Sequence, residues 1–465
     1  MGQQCARLHD PRADPLLVLP AARGFGVVTA SVSRRISRRA RSLTRARRLP
    51  QKTDFAMVVW DQVEKKRRLV KRLTQEESWI YDGSGSLLPK RCTYWLNEGV
   101  MNSRRVLIIC PYPQGVAAGQ RLKYEQYFSH WRANGYEATV SSFMDMRMWE
   151  VVYTKGNYLA KILGTLRGYA RRIRDLFRVH RYDVVYVFMW VTPIGSSFFE
   201  RIVRRLSRRL IYDVEDNVLM EKGNELNPLV KLLKGRGKTE CLIAMADHVI
   251  TSSPFLNDYC LGLNKRKACT YISSSVDTDR FFPTNPYSND RKVTIGWTGT
   301  FSSRMYLDLL RNVFLELKRR CDFRLRVIGN FQYEFPGIDL EVIQWTKEKE
   351  VDDLQGIDIG VYPLVQNEWV LGKSGLKAIQ YMAFGLPTVA TNVGTTPMII
   401  RQRENGWLVN TDEEWVEALE ALIKCPDLRR QIGESARQTI LEKYSTQAIK
   451  STYLSILNQQ FGAKA

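Results

Sequence analysis

From Arg105 onward, short runs of β-branched and aromatic residues alternate with longer segments of helical period. The runs are Val106 to Ile109, Val184 to Phe188, Leu210 to Val214 and His248 to Thr251. Such alternation is the pattern of parallel βαβ units, because a parallel strand needs a crossover, usually a helix, before its neighbour. After Pro283 the alternation starts again: Val293 to Trp297, a helix over Tyr306 to Arg319, Arg324 to Ile328, Leu340 to Ile343, Asp358 to Tyr362, another helix, and Thr388 to Thr391. Two such blocks predict an α/β chain built as two facing Rossmann-like domains, over 101–283 and 284–445. A last helix, 446–465, carries Ile449, Tyr453 and Ile456 on one seam and is expected to pack back on the first domain.

Composition narrows the classes that remain. The 465 residues are 44% apolar and 11% aromatic, enough for two cores. Eight cysteines are scattered with no CxxC pair and no Cys/His cluster, which argues for free thiols in a reducing, cytoplasmic compartment and against a zinc site or a disulfide framework. No stretch reaches the roughly 20 apolar residues of a membrane-spanning helix. Pro20 and Arg23 interrupt the apolar run near the N-terminus, against a signal peptide, and Ala6 stands where myristoylation expects Ser or Thr.

The net charge is +22, and +11 of it falls within residues 1–100, where 20 Lys and Arg face 9 Asp and Glu. The run from Arg34 to Arg48 repels itself, and such blocks stay disordered or bind polyanions. Residues 1–100 are therefore expected to be a dispensable basic arm, with Met101 as the natural start. No helix-turn-helix, zinc-finger or RNA-binding sheet signature accompanies the charge, so nucleic acid is not an expected partner.

The stretch from Asp358 to Thr391 carries the most chemistry. A buried strand ends at Pro363, and a loop then presents Gly372 and Lys373. Ser374 can cap a helix with Leu376, Ile379 and Ala383 at helical spacing, and Gly385 and Pro387 stop it. In an open parallel sheet ligands sit beyond the carboxyl ends of the strands, and a helix N-terminus there offers amides and partial positive charge to an anion. Lys373 adds a full charge, so a diphosphate suits the place. It is not a P-loop, because Asn367 occupies the position where the Walker spacing needs glycine. Two further turns follow strands of the same block and can approach phosphate: Gly296-Trp297-Thr298-Gly299-Thr300, before a helix capped near Ser302 or Ser303, and Asn392-Val393-Gly394.

The segment Tyr381-Met382-Ala383-Phe384-Gly385-Leu386-Pro387-Thr388-Val389-Ala390 resembles the hallmark of the retaining group 1 (family 4) glycosyltransferases. Ser275-Val276-Asp277-Thr278-Asp279-Arg280-Phe281-Phe282-Pro283 resembles that family's interdomain linker, and Asn405-Gly406-Trp407-Leu408-Val409 its late strand. Pro111-Tyr112-Pro113 with Ala118-Gly119-Gln120-Arg121 is similar to its first glycine-containing loop. The resemblance implies a GT-B fold, a nucleotide-sugar donor as substrate, no cofactor, no metal, and transfer with retention. It makes Lys373 a diphosphate ligand and Gln380 a ribose contact, with Thr300 and Arg304 near the positions of the family's basic loop residues. One departure stands out: the two glutamates that the family separates by seven intervening residues are Gly372 and Gln380 here.

On the acceptor side, Asp213 and Asp216 follow a strand and offer carboxylates to a sugar hydroxyl, Asp213 being the nearer to the strand end. Gly119, Gln120 and Arg121 are expected to close the cleft, and Ser252 and Ser253 end another strand as ligands or caps. Arg167, Arg171, Arg174 and Arg178 repeat at helical spacing opposite Leu159, Ile162, Leu166, Ile173 and Leu176, with further arginines at 201, 204, 205, 208 and 209. This basic stripe suits an anionic membrane surface and a lipid-linked or saccharide acceptor. A sugar-nucleotide epimerase of the same fold is the alternative activity, and a nucleic-acid-binding protein the more distant one.

Overall fold

The structure, a computed structural model, describes residues 79–81, 87–89, 103–154, 156–215, 237–284 and 291–462. The chain divides into two compact units, Met1–Gly99 and Val100–Ala465. In the first, strands β1 (Trp79–Tyr81) and β2 (Leu87–Pro89) form an antiparallel pair. The basic run from Arg34 to Arg48 lies outside the described residues.

The second unit contains two six-stranded sheets, parallel throughout. The first takes β3 (Arg104–Cys110), β4 (Tyr136–Ser142), β5 (Val184–Phe188), β6 (Leu210–Val214), β7 (His248–Thr251) and β8 (Cys269–Tyr271), in the order β4-β3-β5-β6-β7-β8. The second takes β9 (Thr294–Gly299), β10 (Arg324–Gly329), β11 (Leu340–Gln344), β12 (Ile359–Tyr362), β13 (Thr388–Thr391) and β14 (Trp407–Val409), in the order β11-β10-β9-β12-β13-β14. Strand order reverses between β3 and β5 in one sheet and between β9 and β12 in the other, and a crevice opens at such reversals.

Helices cover both faces. The ones that bear on function are α1 (Ala118–Arg121), α2 (Tyr158–Leu176), α3 (Phe198–Leu206), α4 (Pro254–Leu263), α5 (Arg304–Asp308), α6 (Arg311–Arg320), α7 (Glu350–Gln355), α8 (Glu368–Leu371), α9 (Leu376–Ala383), α10 (Pro426–Thr439) and α11 (Thr446–Gln459). The single helix expected over Tyr306 to Arg319 is broken in two. At the break Leu309 and Leu310 donate to Tyr306 and Leu307, a tighter turn that sinks Leu310 into the core and leaves Leu309 exposed.

The chain crosses between the sheets twice at one place. Val276 pairs with Ser445: the Val276 amide donates to the Tyr444 carbonyl at 3.0 Å, and the Thr446 amide donates back to Val276 at 3.0 Å. The Arg437 guanidinium on α10 donates to the carbonyls of Thr278, Phe281 and Ala383, which fastens this linker to the second sheet's layer. Beyond the crossing, α11 buries Ile449, Tyr453, Ile456 and Leu457 among Val106, Tyr124, Tyr127 and Trp131 of the first layer. Among the described residues no helix is long and apolar enough to cross a membrane.

Candidate active site

Loops that follow strands of the two sheets meet one another. After β12 the chain makes α8, capped by the Asn367 side chain, and then the turn Gly372-Lys373-Ser374-Gly375. Ser374 does not cap α9. The cap residue is Gly375, left-handed at φ +73°, a conformation that costs glycine nothing, and Ile399 and Thr395 fill the space beside it. Gly394, at φ +63°, lies against the Val370 carbonyl, and the Thr395 hydroxyl donates to the Lys373 carbonyl at 2.9 Å. The 392–396 loop thus supports the Lys373 turn from behind; Gly394 is a buttress of that turn.

The Lys373 ammonium lies 5.6 Å from the centre of the Tyr306 ring on α5. An aromatic face attracts a cation through its quadrupole and uses none of the ammonium's N–H donors. Tyr381 on α9 is fully buried, and its hydroxyl accepts from the Thr298 amide at 2.7 Å, so α9 and the end of β9 are fixed together. Gln380 belongs to the buried residues of α9. These contacts join the turn after β12 with the helix after β9, the two strands flanking the reversal.

The glycine-rich turn itself is less open than its sequence suggests. A Cβ at Gly296 would stand 2.2 Å from Ile357, and one at Gly299 would stand 2.2 Å from the Trp297 ring. Packing by itself requires glycine at both positions. Thr300, not Ser302, caps the following turn in a reciprocal box with Ser303, and the Phe301 amide is taken by Asn330 at 2.9 Å. Arg304 pairs with Asp308 at 3.4 Å, in a network that includes Arg311 and Tyr333.

From the first sheet, the expected acceptor residues take structural duties. Asp213 is fully buried, ion-paired to Lys123 and accepting from the Tyr186 hydroxyl, so neither oxygen is offered to a sugar. Burial pushes its carboxyl above the ordinary range, and Lys123 pulls against that. Asp216 lies outside the described residues. Gln120 is fully buried and clamps its own loop: its amide accepts from Tyr112 N at 3.0 Å and donates to the Tyr112 carbonyl at 3.1 Å and to Glu125 at 3.1 Å. Gly119 is required by a close approach, since a Cβ there would stand 2.7 Å from a Glu215 carboxylate oxygen. Glu215, one residue beyond β6 and half-buried, is the carboxylate that accompanies the cleft loop.

Two contacts close the two sheets on each other. Arg121, at the end of α1, donates to both carboxylate oxygens of Glu350 on α7 at 2.9 Å, and Arg280 of the linker donates to the same Glu350 at 3.2 Å. The Ser252 hydroxyl, beyond β7, donates to the Gly372 carbonyl at 3.3 Å, which brings the first sheet to the turn carrying Lys373. Ser253 is a cap: its hydroxyl accepts from the Leu256 amide of α4. The expected cleft ligands Arg121, Gln120 and Asp213 thus serve the closure or the core. Sequence reasoning missed Lys123, Tyr306 and Glu350, whose partners lie far along the chain. Among the described residues no group of three or more His, Cys, Asp or Glu is placed to hold a metal ion.

A family model described as glycosyl transferases group 1 matches residues 292–425, which take in β9 to β14 and the Lys373 turn. Among curated proteins, the chain is similar to N-acetyl-alpha-D-glucosaminyl L-malate synthase of Bacillus anthracis, 33% identical over 84 residues that make up 18% of this chain and 22% of that protein. Two other curated relatives are covered over 35% and 20% of their lengths. Solved structures match far more of the chain. Sucrose-phosphate synthase from Thermosynechococcus elongatus superposes with a TM-score of 0.60 at 15% identity, over 78% of this chain and 100% of its own. HepE of Anabaena, solved with UDP and glucose, superposes with a TM-score of 0.54 at 12% identity, over 77% and 100%. Residues 292–425 thus match the glycosyl transferases group 1 model, within a chain whose two parallel sheets have the GT-B fold of these structures.

Proposed function

We propose that the chain is a retaining glycosyltransferase that moves a sugar from a nucleotide-sugar donor to a lipid-linked or polysaccharide acceptor, without a metal ion. The observation that carries this reading is the Lys373 turn: a lysine over Tyr306, at the strand-order reversal of one sheet, met by Ser252 of the other. HepE was solved with UDP, and a UDP group on this chain would take its diphosphate at the Lys373 turn. There Lys373 and the first amides of α9 offset the negative charge that develops as the anomeric carbon–oxygen bond breaks. Gln380 is assigned to the ribose. The acceptor hydroxyl gives its oxygen to the anomeric carbon and its proton to a base, for which Glu215 beside Gly119 replaces the buried Asp213.

The test is a thermal-shift panel of UDP, GDP, ADP and CMP sugars on the full chain, followed by incubation with the positive donor alone. A ligand at a hundredfold its Kd stabilises the folded state by about 2.7 kcal/mol, so one nucleotide class should raise Tm clearly. Donor alone should be recovered without change of sugar configuration, as an epimerase would not allow. No shift with any nucleotide sugar would refute the reading.

A further inference from the structure

The helix α2 is turned opposite to the ordinary rule for a surface helix. Its buried residues are Gly164, Gly168, Arg172 and Asp175, one face at steps of three and four. Two glycines let the helix sit close: a Cβ at Gly168 would stand 2.5 Å from the Phe143 ring, and one at Gly164 would stand 2.9 Å from Met148. Arg172 is drawn inward because its guanidinium donates to the carbonyls of Cys110, Ser141 and Val191 and pairs with Asp175. The opposite face carries Leu159, Ile162, Leu163, Leu166, Ile173 and Phe177, all exposed, with Leu159 at 78%, Leu166 at 60% and Phe177 at 73%.

This corrects the basic-stripe expectation. Arg171 is held by the carbonyls of Ser142 and Phe143 and by Asp145, and Arg178 donates to the Tyr182 hydroxyl. Arg167 and Arg174 remain exposed along one flank of the apolar face. Neighbouring α3 adds to the same surface, since the Tyr169 ring on α2 packs at a tilt against Phe199, centroids 5.8 Å apart, and its hydroxyl donates to the Ile194 carbonyl. Phe198, Arg201 and Arg205 of α3 are exposed, while the acids of the two helices, Asp175 and Glu200, are buried.

We infer that the outward face of α2, with the start of α3, docks on an anionic phospholipid surface, the leucines entering the headgroup boundary and the arginines facing lipid charge. Contiguous apolar side chains of this extent mark an interaction surface, and cationic flanks without exposed acids are complementary to anionic headgroups. The inference gives the proposed lipid-linked acceptor a place to be met, and rests on that reading only for its purpose.

The experiment is co-sedimentation of the full chain, with neither donor nor acceptor, on phosphatidylcholine vesicles with and without phosphatidylglycerol. The wild type should pellet with the anionic vesicles, and Leu159→Ser with Leu166→Ser should lower the partition roughly tenfold. Arg167→Gln with Arg174→Gln should weaken binding less, and mainly at low salt. These side chains are exposed, so circular dichroism should report unchanged folding for both variants. Wild-type binding by the leucine variant would overturn the inference. So would a lipid-free wild-type dimer that the leucine variant dissolves, which would assign the face to a second copy. Either failure leaves sugar transfer untouched, because no donor is present, and loss of transfer alone leaves this surface standing.

Discussion

At the scale of the residue, burial decides what a charged or titratable group can do. Lys123 and Arg121 stand two apart at the end of α1, yet the first turns inward to Asp213 and the second reaches Glu350, 229 residues away. His248, in β7, is buried against Thr270, and its pKa is pushed down from 6.5 to about 4 by loss of water alone. The folded protein therefore refuses a proton that the unfolded chain accepts. That contribution is complete above the unfolded pKa and is lost as pH falls through the folded one. His248→Gln keeps a polar partner for Thr270 and removes the titration. In urea unfolding between about pH 7 and about pH 4, it should flatten the acid limb by up to about 3 kcal/mol. An acid limb identical to that of the wild type would show that His248 is hydrated.

At the scale of the element, legibility follows from how strands are buried. The central strands β3, β5, β6, β9, β12 and β13 are covered on both faces and read as continuous apolar runs, so the sequence places them to within a residue or two. The strand β4 lies at the sheet's edge, with Glu137, Thr139 and Ser142 left partly in water, and its mixed composition offers no run to find. The period of α2 announces two faces without saying which faces inward; the Gly164 and Gly168 pair is the available signal. The site is legible only where it is local. The turn of Gly372 and Lys373 stands in one stretch of sequence, whereas the tie between α1, α7 and the linker joins residues with no local mark. That tie should be costly to cut. Glu350→Ala leaves Arg121 buried, with its Nε and Nη1 already lacking partners among the described residues. It should lower stability by about 3 kcal/mol in urea unfolding, more than Glu350→Gln does. Equal stability of the alanine variant and the wild type would mean that the pair is not retained in solution.

At the scale of the whole molecule, the fold sets two parallel sheets so that the loops beyond their strand ends meet, with the double crossing at Val276 and Ser445 as the link between them. Ser252 on Gly372 and Arg121 on Glu350 join the layers of the two sheets. Lys373 is half-buried beside these contacts, and a fixed charge is worth more where less water reaches it. The proposed transfer depends on Lys373 stabilising the departing diphosphate without a cation. The direct measurement is kcat/KM of Lys373→Ala against wild type, with the donor found in the thermal-shift panel, in the presence and absence of EDTA. The variant should lose roughly a hundredfold or more, and EDTA should leave the wild type unchanged. An undiminished rate in the variant, or turnover abolished by the chelator, would contradict that role of Lys373.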